Sequence, residues 1–290
     1  MNPADPIGRA RACFIRACEL DVAVRKPGNV SRVSAGHGMQ AQMFVDSARA
    51  AAVPLFAAGR PVGERIEAAV EASWSAAGCN TNLGIVLLAA PLARAAEAAN
   101  AAPGGGLRQA VQAVLGALDL ADSAAAFRAI AHARPGGLGR AAREDVHAPP
   151  TLDLRAAMAL AADRDLIARQ YVDGYAALFD QGLRALGPGF SLMTDARDEH
   201  ATAAVQRLYL DLLARFPDSH IVRKHGDGVA QTVMTAAQAW SERAGAGESL
   251  DADPGFAAWD ESLKALHINP GTTADLTVAT LLIAGLIEPG

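Results

Sequence analysis

The chain has 290 residues, 51% of them hydrophobic and 20% charged, with a formal net charge of −5 and a pI near 5.8. That length and balance fit a folded globular chain and exclude a disordered one. An acidic chain without a basic tail or Lys/Arg stripe argues against nucleic acid as the main partner, so cations for an anionic ligand have to be gathered locally.

Aromatic residues are only 5% of the chain. The core must therefore come from Ala, Leu, Val and Ile, and Ala is the strongest helix former. No run of alternating β-branched residues occurs, and no Asn-Gly or Asp-Gly turn joins two apolar runs. We therefore predict an all-α fold, one domain over 1–290 without internal repeats, with buried apolar central helices. Helical patterns fall at 6–24, 38–58, 61–77, 82–99, 105–117, 120–132, 152–186, 196–215, 220–244, 253–267 and 273–287. Gly/Pro punctuation separates them, and 243–255 is the most loop-like stretch. Cys13 and Cys18 in the first helix read as buried free thiols, and together with Cys79 they form no CxxC pair or disulfide framework. The N-terminal stretch lacks a signal-peptide layout, and the runs LGIVLLAAPLA and LTVATLLIAGLI fall short of the roughly 20 residues of a membrane span. A reducing cytoplasm and no membrane partner are the expectation. Ala-rich faces leave packing within the chain or across a homodimer open.

Five polar islands interrupt this pattern. The first, RKPGNVSR at 25–32, has Pro27-Gly28 placed for a type II turn that ends the first helix. Lys26, Asn29 and Ser31 are left over as donors, as a phosphate loop would need, and His37 follows between glycines. The second island is Asn80-Thr81-Asn82, three N-cap types in a row before an apolar helix with Gly84 in its first turn. One cap suffices to start a helix. The surplus suits an anion site at the helix start, while capping plus core packing explains the stretch equally well.

The third island holds a loop with Gly136, Gly137 and Gly139, which is no P-loop because no Lys-Ser/Thr follows, then Asp145 and His147. Beyond them, Leu154, Met158, Ala161, Asp165, Ala168 and Val172 share a face of the predicted 152–186 helix. That would place Asp163, Arg164 and Asp165 inside an apolar helix, with Arg169 one turn on as partner to Asp165. The fourth, Arg223-Lys224-His225, is the densest positive patch. The last is Asn269-Pro270-Gly271, a turn before Thr272, Thr273 and Asp275, where Thr272 and Asp275 resemble a capping box. Junctions rich in N–H groups, cations and carboxylates would, on converging, suit a polyphosphate with Mg²⁺. No Ser-His-Asp set or HExxH competes.

The ordered segments KPGNVS, NTNLGIVLLAAPLA, GGLG…DV, RDLIARQY, RKHG and NPGTTADLTVATLL, spanning about 250 of the 290 residues, resemble the triphosphoribosyl-dephospho-CoA synthase family. The resemblance implies an all-α enzyme that moves the triphosphoribosyl part of ATP onto a ribose hydroxyl of dephospho-CoA and releases adenine. Citrate-type members carry Asn-Thr-His-Lys-Gly where this chain has Asn80-Thr81-Asn82-Leu83-Gly84. They have Arg-Gly-Glu in place of the Gly-Gly-Leu-Gly loop, and an Asp-Met pair where Gly38-Met39 stands here. The chain is similar to a divergent archaeal and methylotroph branch. That suggests a rival pair of substrates, phosphoribosyl pyrophosphate and a ribitol-containing acceptor on the way to tetrahydromethanopterin. A non-catalytic nucleotide-binding relative is the other class.

Breaking the bond at C1 of a ribose passes through an oxocarbenium-like state that a carboxylate stabilises. On this basis Asp163 and Asp165 are assigned to Mg²⁺ or to that stabilisation, and Asp145 or His147 to the base for the acceptor hydroxyl. Lys26, Arg164, Arg223 and Lys224 would hold phosphates, helped by helix starts at 81–84 and 272–275. Asn29, Asn82 and Asn269 would read ribose or base edges. Gly28, His37, Asn80, Thr81, Gly84, Gly136, Gly137, Gly139, Arg169, Gly271, Thr272, Thr273 and Asp275 complete the expected substrate site.

Overall fold

Ala- and Leu-rich segments between Gly/Pro breaks fold, in a computed structural model, into fourteen α-helices and one π-helical turn. The structure describes residues 6–101, 106–195 and 198–288, and no strand occurs among them. Residues 1–5 of the N-terminal stretch and the predicted helix edges at 105 and 196–197 lie outside the described residues. The first helices are α1 (Pro6–Ala23), α2 (Ala41–Leu55), α3 (Val62–Ala77), α4 (Leu83–Ala101), α5 (Leu107–Gly116), α6 (Leu120–Ala133), α7 (Leu154–Ala159) and α8 (Leu166–Asp173). After the π turn (Leu178–Gly182) come α9 (Leu183–Leu186), α10 (Glu199–Arg215), α11 (Ser219–His225), α12 (Asp227–Gly245), α13 (Pro254–Ala265) and α14 (Gly271–Ile287).

Helix α14 is the axis of the molecule. Thirteen of its residues between Thr272 and Gly285 are buried, and α1, α4, α10 and α11 pack around it. Its threonines cost little there, because the Thr277 and Thr280 hydroxyls donate to the Thr273 and Leu276 carbonyls one turn back. The apolar core divides into two groups. The larger joins α1 to α9 with α14, and the smaller packs α10 to α13 around Phe256 and Ile221. Helix α10 serves both, with Val205 and Leu208 on one side and Tyr209 and Leu213 on the other.

Pro91 sits inside α4. Lacking an N–H, it cannot close the bond to the Leu87 carbonyl one turn earlier. The Tyr171 hydroxyl donates to that carbonyl at 2.7 Å and Tyr175 to Leu88 at 2.9 Å, so α8 is fixed onto α4 where α4 is defective. Cys13 and Cys18 are buried free thiols, as expected. Among the described residues no single helix is long and apolar enough to cross a membrane.

Two predicted helices are broken, and both breaks matter to the site. The 152–186 pattern stops at Ala159, passes through tight turns, and restarts at Leu166. Asp165 is extended (φ −131°, ψ 116°), and its Oδ1 accepts the Ile167 and Ala168 N–H groups at 2.9 and 3.2 Å. An Asp in such a position competes with helix continuation by capping a new one. The shared face through Leu154, Met158, Ala161, Asp165, Ala168 and Val172 therefore does not exist, and Asp163 and Arg164 are exposed rather than buried. The 220–244 pattern breaks at Gly226, whose φ of 85° and ψ of 169° suit glycine.

Candidate active site

The five polar junctions line one cleft of about 900 Å³, enough for a nucleotide-sized ligand. Its wall runs from the end of α1 and the 29–39 loop, through the starts of α4 and α8 and the 134–146 segment, to α11 and the start of α14.

The RKPGNVS turn forms as read: Gly28 has φ 80°, and the Asn29 N–H donates to the Lys26 carbonyl at 2.9 Å. Its cation does not face the ligand space. Lys26 is fully buried, 3.0 Å from Asp21 and 2.6 Å from Asn29 Oδ1, above the Tyr209 ring. Asn29 Nδ2 then donates to Asn269 Oδ1 at 3.0 Å, so Lys26 orients two cleft asparagines from below. Asp260, which sequence reading missed, holds the loop from outside through the Gly28 N–H, Arg25 and Lys264, each at 2.9 Å. The sequence signal was a carboxylate within the predicted 253–267 helix without a polar neighbour one turn earlier. His37 lines the cleft and donates from Nε2 to the Gly28 carbonyl at 2.8 Å. Burial lowers its pKa, opposed by that bond and reinforced by the charges of Lys224, Lys264 and His267.

At the second junction the work is divided. Asn80 Oδ1 accepts the Leu83 N–H at 3.1 Å, Thr81 donates to Ser47 at 2.7 Å, and Asn82 Oδ1 accepts from Ser73 at 2.5 Å. Asn82 Nδ2 is buried in the cleft wall without a partner. Gly84 has a specific reason: a Cβ there would lie 2.0 Å from Asp275 Oδ2 and 2.7 Å from Ile167 Cδ1. Its missing side chain makes room for a carboxylate.

Asp165 pairs with Arg223 at 2.8 Å, not with Arg169. Arg169 donates to the Ala162 and Asp163 carbonyls and stitches the turn before α8. The glycine loop lies directly against α11. A Cβ on Gly136 would meet Lys224 Cε at 2.8 Å, and one on Gly137 (φ 77°) the Arg223 carbonyl at 2.9 Å. Gly139, Arg164, Asn269 and Gly271 line the cleft too, and Arg134, Arg140 and Arg143 join Arg164, Arg223 and Lys224 as its cations. The three added arginines belong to the loop recognised by its glycines; their convergence with α11 had no local signal.

Several expected residues stand elsewhere. Asp163, His147, Gly28, Arg169, Thr272 and Thr273 do not line the cleft. Asp145 does, but its carboxylate accepts the Ala141 and His147 N–H groups at 2.9 Å each. Those bonds, with Arg140 nearby, lower its pKa, which makes it a turn staple and a poor base. Thr272 does not cap α14, which starts at Gly271. The cap comes from a distant segment: Asp218 Oδ2 accepts from the Thr273 N–H and hydroxyl at 2.7 and 2.8 Å, while its Oδ1 caps α11. A capping-box reading is local and misses such a partner.

Asp275 instead projects into the cleft and makes no hydrogen bond or ion pair with a described residue. Burial pushes its carboxyl well above the usual range, with the charges of Asp218, Asp21 and Asp165 adding to it and Arg223 opposing. His220 is driven the other way, to about 4, by burial and then by the charges of Lys224, Arg223, His37 and His225, so its imidazole is neutral. Buried polar atoms without partners gather here: Asn82 Nδ2, His220 Nε2 and Arg223 Nε all belong to the cleft lining. A resident metal does not fit. Asp163 faces solvent, Asp165 is spent on capping and on Arg223, and no three ligating side chains converge among the described residues.

Fold and cleft define an all-α protein with one large pocket, cationic along one side and carboxylate-bearing at its floor. The chain belongs to the ATP:dephospho-CoA triphosphoribosyl transferase family, whose profile matches residues 8–290, and it is a transferase of that family. A crystal structure from Archaeoglobus fulgidus, provisionally described as a triphosphoribosyl-dephospho-CoA synthase, superposes with a TM-score of 0.61 at 26% identity. The match covers 82% of this chain and 96% of that one. No curated protein matches the chain.

Proposed function

We propose that this cleft transfers the triphosphoribosyl group of ATP to a ribose hydroxyl of dephospho-CoA and releases adenine. The observation that carries the reading is the unspent hydrogen-bonding capacity of the cleft. Asn82 Nδ2 and Arg223 Nε are donors held in place by other bonds of the same side chains, to Ser73 and Asp165. Preorganised donors of this kind cost no reorganisation when an anion arrives. Arg164, Arg223 and Lys224, with Arg134, supply charge for a triphosphate. Mg²⁺ would enter with the triphosphate of the substrate, since no three ligating side chains converge among the described residues. Asp165, held by the Ile167 and Ala168 N–H groups and by Arg223, would be the carboxylate that faces positive charge growing at C1 of the ribose.

The test is adenine release, followed by chromatography, with ATP, Mg²⁺ and dephospho-CoA. Adenine should appear only with the acceptor present, together with a product heavier by one triphosphoribosyl group. Pyrophosphate release from phosphoribosyl pyrophosphate, with ATP inert, would overturn the assignment.

A further inference from the structure

Three side chains in the cleft keep polar atoms without a partner among the described residues: Asn82 at Nδ2, His220 at Nε2, and Asp275 at its carboxyl. The Asn82 amide is held through its Oδ1 by Ser73, and Asp275 has no such bond to a described residue. It lies in the second turn of α14, a helix otherwise buried and apolar, where a carboxyl group costs stability. A glycine at 84 is required to admit it, and Ile167 closes on the same spot. Ile85, next along α4, and Phe127 and Ile130 continue the wall as apolar surface, of the kind a purine ring occupies. Arg223 and Lys224, on α11, line the same cleft.

We propose that Asp275 is the proton donor to the departing adenine ring, an inference that rests on the reaction proposed above. The bond from C1 of the ribose to the ring nitrogen breaks as Asp275 passes its proton to the purine. The acceptor hydroxyl oxygen bonds to C1 and its proton leaves to cleft water. Asp275 then regains a proton from water, so the net change is transfer of one proton from the hydroxyl to adenine. The groups facing Asp275 keep it supplied with that proton. Burial, and the charges of Asp218 before α11, Asp21 on α1 and Asp165 before α8, disfavour a further negative charge there, and Arg223 opposes them.

The experiment compares ATP with ATP methylated at N7 of the purine, whose base departs without needing a proton. Asp275→Asn should lower turnover of ATP by about 10²–10⁴-fold and leave turnover of the methylated donor within about threefold of wild type. With wild-type protein, turnover of ATP should fall as pH rises through the Asp275 titration, and turnover of the methylated donor should not. Equal losses on both donors, or the same alkaline limb with both, would overturn the proposal while leaving the reaction itself standing. Failure of the wild-type protein to release adenine from ATP would instead overturn the reaction and this proposal with it. The wild-type pH comparison decides the question even if the variant folds poorly.

Discussion

Two ionisable side chains, Arg65 buried and Asp275 half-buried, are handled in opposite ways in this molecule. Arg65 on α3 is sealed against the larger core, and every arm of it is used. It donates to the Arg60 and Leu55 carbonyls at 2.8 Å each and to Glu97 at 2.5 Å, while Glu97 also accepts the Gly59 N–H at 2.8 Å. Asp275 on α14 makes no hydrogen bond or ion pair with a described residue. A charge that exists to hold the fold ends up saturated, since an unsatisfied one costs more than its pairing returns. A charge left unsaturated in a packed wall beside a cleft is kept for something outside the chain.

The sharpest way to break this contrast is Asp275→Asn, where two readouts should move in opposite directions. Turnover should drop by the 10²–10⁴-fold given above, about 3–5 kcal/mol in the barrier at 1.36 per decade. The thermal midpoint at neutral pH should rise, by on the order of 1 kcal/mol of stability, because a half-buried carboxyl without a partner among the described residues is removed. The pH dependence follows from the raised titration of Asp275. Between the ordinary carboxylate value and its own, the native state holds more protons than the unfolded chain, so stability falls as pH rises across that window. The variant should show a shallower fall, since Asp218 and Asp21 are raised as well. A midpoint that drops in the variant would mean Asp275 has a structural partner after all.

Glu97→Ala tests the other half. It strands the Arg65 guanidinium with only its two carbonyls, which should cost about 2–4 kcal/mol, read as a lower denaturant midpoint. Turnover per folded molecule should stay at the wild-type value, and a matching loss of turnover would erase the distinction between the two sites. The smallest effect is expected from Gly84→Ala. The new methyl must displace the Asp275 carboxylate or Ile167, for a loss of about 1–3 kcal/mol and roughly tenfold in turnover. Unchanged kinetics there would show that the exact position of Asp275 is unimportant.

Much of the fold could be read directly. The helix count differs from the reading where Asp165, Gly174 and Gly226 interrupt long patterns, and those breaks are tertiary choices. Helical periodicity continues across 160–165, and what ends the helix is the demand of Asp165 for the Ile167 and Ala168 N–H groups and for Arg223, 58 residues away. The cleft was legible as a set of loops but not as a division of labour. Lys26 looked like a ligand cation because sequence cannot show that Asp21, a helical turn before it, would claim its charge. Thr272 and Asp275 looked like a local cap because the Asp218 cap is distant in the chain. The release of Asp275 for other use follows from that same non-local bond.

The sequence by itself determined that the chain is helical, that apolar helices carry polar starts, and which family it resembles, since those depend on propensity, short spacing and motif order. Only the tertiary structure decided which polar groups satisfy one another. Hydrogen bonds and ion pairs act over a few ångströms, and those distances are set by how α1, α4, α8, α11 and α14 meet. Among the described residues that meeting leaves polar atoms of Asn82, His220 and Arg223, and the Asp275 carboxyl, unsatisfied in the cleft wall, and these are the ones we propose for a ligand.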